Sequence, residues 1–254
     1  MRFAPFGAAL AFAVLASVMV FNPGAGRAED PPLSDKQQEA VKKIVHDYLV
    51  EHPEAIVEAI GALREKERLA AEASAKKTLA ERRKDLVDDP NSQVFGNPKG
   101  DVTIVEFFDY HCPYCKAMTD SVLDMVKGDG KVRLVMKELP ILGPDSVFAS
   151  RAAIASRQQN LYPEFHTALM HLRAPLSEAT VMQTAASVGL NVERLKKDMT
   201  DRQVEAIISA NIDLARALNI DGTPGWVFGD KMSSGAMSPE AFKQLIEDER
   251  KSKS

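Results

Sequence analysis

Residues 102–115 read VTIVEFFDYHCPYC, a run of β-branched and aromatic residues that leads within four residues to two cysteines spaced C-x-x-C. Val102 to Phe108 is preceded by the turn cluster Gly96-Asn97-Pro98-Lys99-Gly100 and has the composition of a buried strand. Beyond Cys112 the apolar residues Met118, Val122, Leu123 and Val126 recur at helical spacing. Pro113 stands at an early helical position, where its missing N–H costs nothing. Lys131 to Leu139 reads as a further strand, so strand, helix and strand form a βαβ-like unit with Cys112 at the first junction. There the unpaired N–H groups and dipole of the helix favour a thiolate, which makes Cys112 the candidate nucleophile. Cys115, one turn along, is placed to attack a mixed disulfide and release it. A structural zinc site would need four ligands, and only His111 lies nearby, so no metal site is expected. A permanent disulfide across three residues would close a tiny loop and add little stability.

On the C-terminal side, residues 146–219 are almost wholly helical in pattern, broken at Pro163, Pro175 and Gly189-Leu190-Asn191. This reads as a helical insertion at about 144–219, of four or five helices, within the α/β unit. Gly222-Thr223-Pro224 opens a short strand pair through Trp226, Val227, Phe228 and Ala236, and Ser238-Pro239-Glu240 caps a closing helix. His166 and His171, in a Leu/Met-rich helical setting, are expected at the edge of the core.

On the N-terminal side, Asp89-Pro90-Asn91 is a turn cluster that puts a domain boundary near residue 90, with the catalytic domain over 91–254. Residues 29–90 read as a helical arm and linker. Ser34 and Gln37 form a capping-box pair, and Val41, Ile44, Val45, Tyr48 and Leu49 make one apolar stripe. His52-Pro53 breaks the helix, and Ile56, Val57, Ile60 and Leu63 make a second stripe. From Arg64 to Asp85, eight basic residues stand against five acidic ones among alanines, which reads as a solvated helix with almost no core-facing side. A short helical hairpin cannot bury both stripes alone, so they require the later domain or another subunit, a homo-oligomer through residues 33–63.

The whole chain has 254 residues, 45% hydrophobic and 27% charged, with a formal net charge of −4. It should fold, and it is neither a disordered polyelectrolyte nor a basic nucleic-acid binder. Two cysteines cannot form a disulfide scaffold. An aromatic content of 6%, with Trp226 the only tryptophan, argues against a stacking surface for bases or sugars. Arg2, the apolar run Ala8–Phe21, the breakers Asn22-Pro23-Gly24 and the small residues Gly26 and Ala28 form a signal peptide, with cleavage expected after Ala28. The run is shorter than the roughly 20 residues that span a bilayer. The mature protein is therefore expected to be periplasmic.

VEFFDYHCPYC, KELPILGPDS and GTPGWVFGD together resemble the DsbA-like branch of the thioredoxin superfamily over about residues 92 to 250. HDYLVEHPEAIVEAIGAL further resembles the N-terminal helical region of ScsC-type (suppressor of copper sensitivity) proteins. The resemblance implies an α/β thioredoxin fold with an inserted helical domain, preceded by an N-terminal helical arm. It also implies that Thr223-Pro224 forms a cis-proline loop that meets the cysteine pair and hydrogen-bonds an extended substrate backbone. Glu106 becomes the buried carboxylate beneath the site, acting as a proton acceptor or tuning Cys115. In the motif, Pro113 and Tyr114 form the intervening dipeptide. Tyr114 stands where strongly oxidising relatives carry histidine, and without that positive charge a weaker oxidant is expected. Gly225 departs from the family pattern, where a larger residue follows the proline, and is expected to loosen the grip on peptide.

The activity implied is thiol–disulfide exchange on exported proteins with cysteines, without a cofactor and with a membrane redox partner. The apolar stripes and the threonine before the cis-proline favour an isomerase or reductase. Alternatives are a monomeric disulfide oxidase, or a Cu(I)-binding protein using the same thiol pair, since soft thiolates select that ion.

Overall fold

The computed structural model describes residues 33–252, so the expected signal peptide and its cleavage after Ala28 lie outside the described residues. Among the described residues, no helix is long and apolar enough to cross a membrane. The chain forms two units, up to Gly61 and from Ala62 onward.

In the first unit, α1 (Asp35–Glu51) opens on Ser34, whose backbone N–H donates to Gln37 Oε1 at 2.9 Å. His52 and Pro53 break it, and α2 (Glu54–Glu81) then carries the chain into the second unit. No residue of α1 is buried.

The second unit continues with α3 (Arg83–Val87), β1 (Gln93–Gly96), β2 (Val102–Phe108), α4 (Pro113–Asp129) and β3 (Val132–Glu138). Five α-helices follow: α5 (Pro144–Ser156), α6 (Tyr162–Met170), α7 (Glu178–Ser187), α8 (Val192–Asp198) and α9 (Arg202–Ala217). The chain closes with β4 (Gly225–Phe228), β5 (Lys231–Ser234) and α10 (Pro239–Ser252). The sheet order is β1-β3-β2-β4-β5, with β2 and β3 parallel and every other pair antiparallel. β5 stops at Ser234, short of Ala236, because Gly235 turns the chain at φ +79°.

Strand alternation divides β2 between two cores. Val102, Ile104 and Phe108 pack with Met118, Val122 and Val126 of α4 and with the inserted helices. Val105 and Phe107 face the other way, onto Leu214 and Leu218 from the α9 end, and onto Leu79 and Leu86. The boundary expected near residue 90 therefore does not mark the edge of the packing. The charged stretch from Arg64 to Asp85 has a core-facing side after all, supplied by Ala75 and Leu79 and continued just beyond it by Leu86. Three residues spread over about three turns fall below the density at which a stripe is recognisable by period.

The segment after α3 is tied down by Lys137, which is 1% exposed. Its ammonium donates to Asp85 O at 2.7 Å and pairs with Asp89 at 2.8 Å. Burial pulls the Lys137 pKa down while Asp89 opposes the shift. Asp89→Ala leaves this buried cation without its carboxylate and is expected to cost about 3 kcal/mol, read from urea unfolding.

Candidate active site

Cys112 is the N-cap of α4, with Pro113 at the head of the helix, and its sulfur accepts the Cys115 backbone N–H at 3.4 Å. Across the fold, the Thr223–Pro224 peptide bond is cis, and the Thr223 carbonyl accepts from the Cys112 thiol at 3.2 Å. The sequence-expected cysteines and the threonine–proline loop, 111 positions apart, thus meet at one point. Both cysteines are unbonded thiols and both are buried, while Tyr114 between them is 62% exposed.

The two sulfurs are electrostatically unequal. The Cys112 pKa is lowered from 9.0 to about 6, chiefly by a hydrogen bond from the Cys115 thiol. Burial opposes this, and a Thr223 side-chain bond and the Cys115 and Tyr114 backbone N–H groups add to it. The Thr223 carbonyl acts the other way, because an acceptor favours the neutral thiol. Cys115 is pushed far up, first by its bond to Cys112, then by burial and the Glu106 charge. At neutral pH the arrangement holds one thiolate, on Cys112.

Glu106 lies on β2 between Met136 and Trp226, on the same strand face as Ile104 and Phe108. It is buried, and burial, aided by the nearby Cys112 charge, raises its pKa to about 8. A raised carboxyl contributes its full stability below its unfolded value of 4.5 and loses it as pH climbs through about 8. Glu106→Gln removes that dependence. Its stability relative to the wild type is expected to rise by about 3 kcal/mol between pH 4.5 and pH 7, measured by urea melts at both.

One residue at the site was not foreseen. Asp109, fully buried, accepts the His111 N–H at 2.7 Å and the Ile141 and Leu142 N–H groups at 2.9 and 3.0 Å. It thereby joins the active-site turn to the loop after β3. Its sequence signal was the Asx-turn pattern two residues ahead of His111. His166, expected at the core edge, is instead fully buried, and burial lowers its pKa to about 3. His171 is exposed and bonds Asp120 on α4 at 2.6 Å. Gly225 has a packing reason, since a Cβ there would stand 2.5 Å from Ile220 Cγ2. Among the described residues there is no group of three or more His, Cys, Asp or Glu that could hold a metal ion.

Residues 103–247 match the DSBA-like thioredoxin domain, and residues 37–70 match the copper resistance protein ScsC N-terminal domain. A thioredoxin-like oxidoreductase from Silicibacter pomeroyi is 44% identical, with TM-score 0.65, over 66% of this chain and 98% of its own. Proteus mirabilis ScsC in a transitional conformation is 28% identical, with TM-score 0.65, over 87% of this chain and 100% of its own. Na(+)/H(+) antiporter NhaA 3 of Salinispora tropica is 27% identical over 162 residues, 63% of this chain. The chain spans 25% of that antiporter's length. With a low-pKa thiol at a helix N-terminus, a high-pKa partner one turn on and a cis-proline loop whose Thr223 carbonyl meets the first thiol, the chain belongs to the DSBA-like thioredoxin family of thiol–disulfide oxidoreductases.

Proposed function

We propose that this protein is a periplasmic disulfide isomerase or reductase that acts on exported proteins and works as a homo-oligomer joined through residues 33–63. The observation that carries the reading is the exposed apolar stripe of the arm. Ile44, Val45, Tyr48, Val57 and Leu63 are each more than half exposed in the single chain. Such a surface is costly in water and is satisfied by copies of itself. An oligomer brings several Cys112 thiolates to one misfolded client, which suits repeated attack and release more than a single oxidation.

In the exchange step, the Cys112 thiolate attacks one sulfur of a client disulfide. A Cys112–client disulfide forms, and the other client sulfur leaves as a thiolate. Isomerisation follows when a different client thiol attacks the client sulfur of the mixed disulfide, so that a new client disulfide forms and Cys112 leaves as the thiolate. Reduction follows when Cys115 attacks the Cys112 sulfur instead: the Cys112–Cys115 disulfide forms, the client sulfur leaves as a thiolate, and the Cys115 proton goes to Glu106 in its ionised form, the buried acceptor. Thr223 and the cis-proline loop would hold the client backbone beside the sulfur. A membrane redox partner would keep the pair reduced.

The second reading, a monomeric oxidase, is favoured by the low Cys112 pKa, which stabilises the reduced form and makes the disulfide a better oxidant. Reactivation of a scrambled-disulfide substrate by the reduced protein separates the two. Recovery of native disulfides supports isomerisation. Failure there, with rapid oxidation of a reduced substrate by the disulfide form, supports the oxidase.

A further inference from the structure

Tyr110 precedes Cys112 by two residues and is fully buried. Its hydroxyl stands 3.3 Å from Glu138 Oε1, at the end of β3, and 3.1 Å from His166 Nδ1 on α6. Tyr162, at the start of α6, donates to the same Glu138 oxygen at 2.7 Å. Ser150 of α5 donates to the other at 2.8 Å. The His166 ring stacks on Tyr162 and meets Phe108 and Tyr110 edge-on. Five polar side chains from the active-site turn, the sheet and two inserted helices therefore converge in the interior. The Tyr110 hydroxyl has one proton for two contacts, so the second contact is filled by a proton from Glu138 or His166. Apolar residues would fill the same space without desolvating a carboxyl. A fully partnered network has a different merit, in that it admits one arrangement of the elements that supply it.

We propose that this network positions the Cys112 turn against the helical insertion, with Glu138 and Tyr110 as positioning residues for thiol exchange. The proposal rests on the reading of Cys112 as the exchange nucleophile. The same short turn is gripped on its other side, where Cys112 N–H donates to Asp109 O at 3.1 Å and the Asp109 carboxylate holds the loop after β3. Residues 109–112 are thus fixed between two buried anchors. The Cys112 thiolate depends on a particular approach to the Cys115 thiol and to the Cys115 and Tyr114 N–H groups. Loosening one anchor lets the turn drift and weakens that approach.

The test uses the reduced full chain, with the pH profile of Cys112 alkylation by iodoacetamide and the exchange rate with glutathione disulfide as readouts. Buried Cys115, with its raised pKa, stays silent. In Tyr110→Phe and Glu138→Leu the alkylation midpoint should rise by about one pH unit, leaving about tenfold less thiolate below it. Exchange should slow in parallel. Glu138→Gln, which keeps an acceptor oxygen, should recover most of the loss. Should Glu138→Leu not fold, Tyr110→Phe alone carries the test. Folded variants with the wild-type profile overturn the proposal. A wild type that itself performs no exchange overturns instead the reading on which the proposal rests.

Discussion

Cys112→Ser should leave no thiol–disulfide exchange, while Cys115→Ser should still attack clients and accumulate them as mixed disulfides. The asymmetry follows from the two sulfurs. Cys112 is the helix N-cap with a pKa near 6, so it is mostly thiolate at neutral pH. Serine offers a hydroxyl that does not ionise there, and Cys115 cannot substitute, being buried with a pKa driven far upward. Removing Cys115 leaves the first attack intact but takes away the intramolecular thiol that resolves the adduct. The serine hydroxyl at position 115, like the thiol it replaces, can donate to the Cys112 sulfur, so the nucleophile keeps its partner. Non-reducing electrophoresis of each variant, mixed with a disulfide-bearing client, reads both effects. Exchange by Cys112→Ser, or no trapped adduct with Cys115→Ser, contradicts this assignment.

Charging the arm is the second large effect. Ile44 is 67% and Val57 70% exposed, on the two helices either side of His52-Pro53. If both are covered in the oligomer, each contributes about 1.5–3 kcal/mol per subunit. Ile44→Glu with Val57→Glu replaces that contribution by the cost of burying two carboxylates. Light scattering should then report a monomer, and reactivation of a scrambled substrate should fall to background. Exchange with glutathione disulfide should stay at the wild-type rate, because no residue of the site is touched. A variant that remains an oligomer, or that still isomerises as a monomer, contradicts the role given to the arm. A truncation meant to isolate the catalytic unit should not start at residue 90, since that removes Leu79 and Leu86 from the core beneath Val105 and Phe107.

What the sequence revealed of this molecule depended on how local the signal was. The strand Val102–Phe108, the helix after Cys112 and the break at His52-Pro53 are written in adjacent residues and stand where they were expected. Resemblance brought the Thr223-Pro224 loop to the cysteines, and in the structure the Thr223 carbonyl meets the Cys112 thiol. No period in β2 marks the side on which Glu106 lies, because its neighbours on both faces are apolar, and only the resemblance pointed to its burial. β1 escaped notice for a different reason. QVFG is four residues long, and its pairing with Val135 and Met136 is a contact over some forty positions. The Tyr110–Glu138–His166 network is equally non-local. Each member alone looks like an ordinary strand or helix residue, and only the packing of α5 and α6 on the end of β3 brings them together.

The pH dependence of Cys112 alkylation in the reduced wild-type protein tests the central claim most directly, that the fold makes this one thiol the reactive group. The account predicts a single reactive thiol whose rate rises with a midpoint near pH 6 and is flat by neutral pH. A midpoint near the ordinary cysteine value of about 8.5, or equal labelling of Cys115, would contradict it.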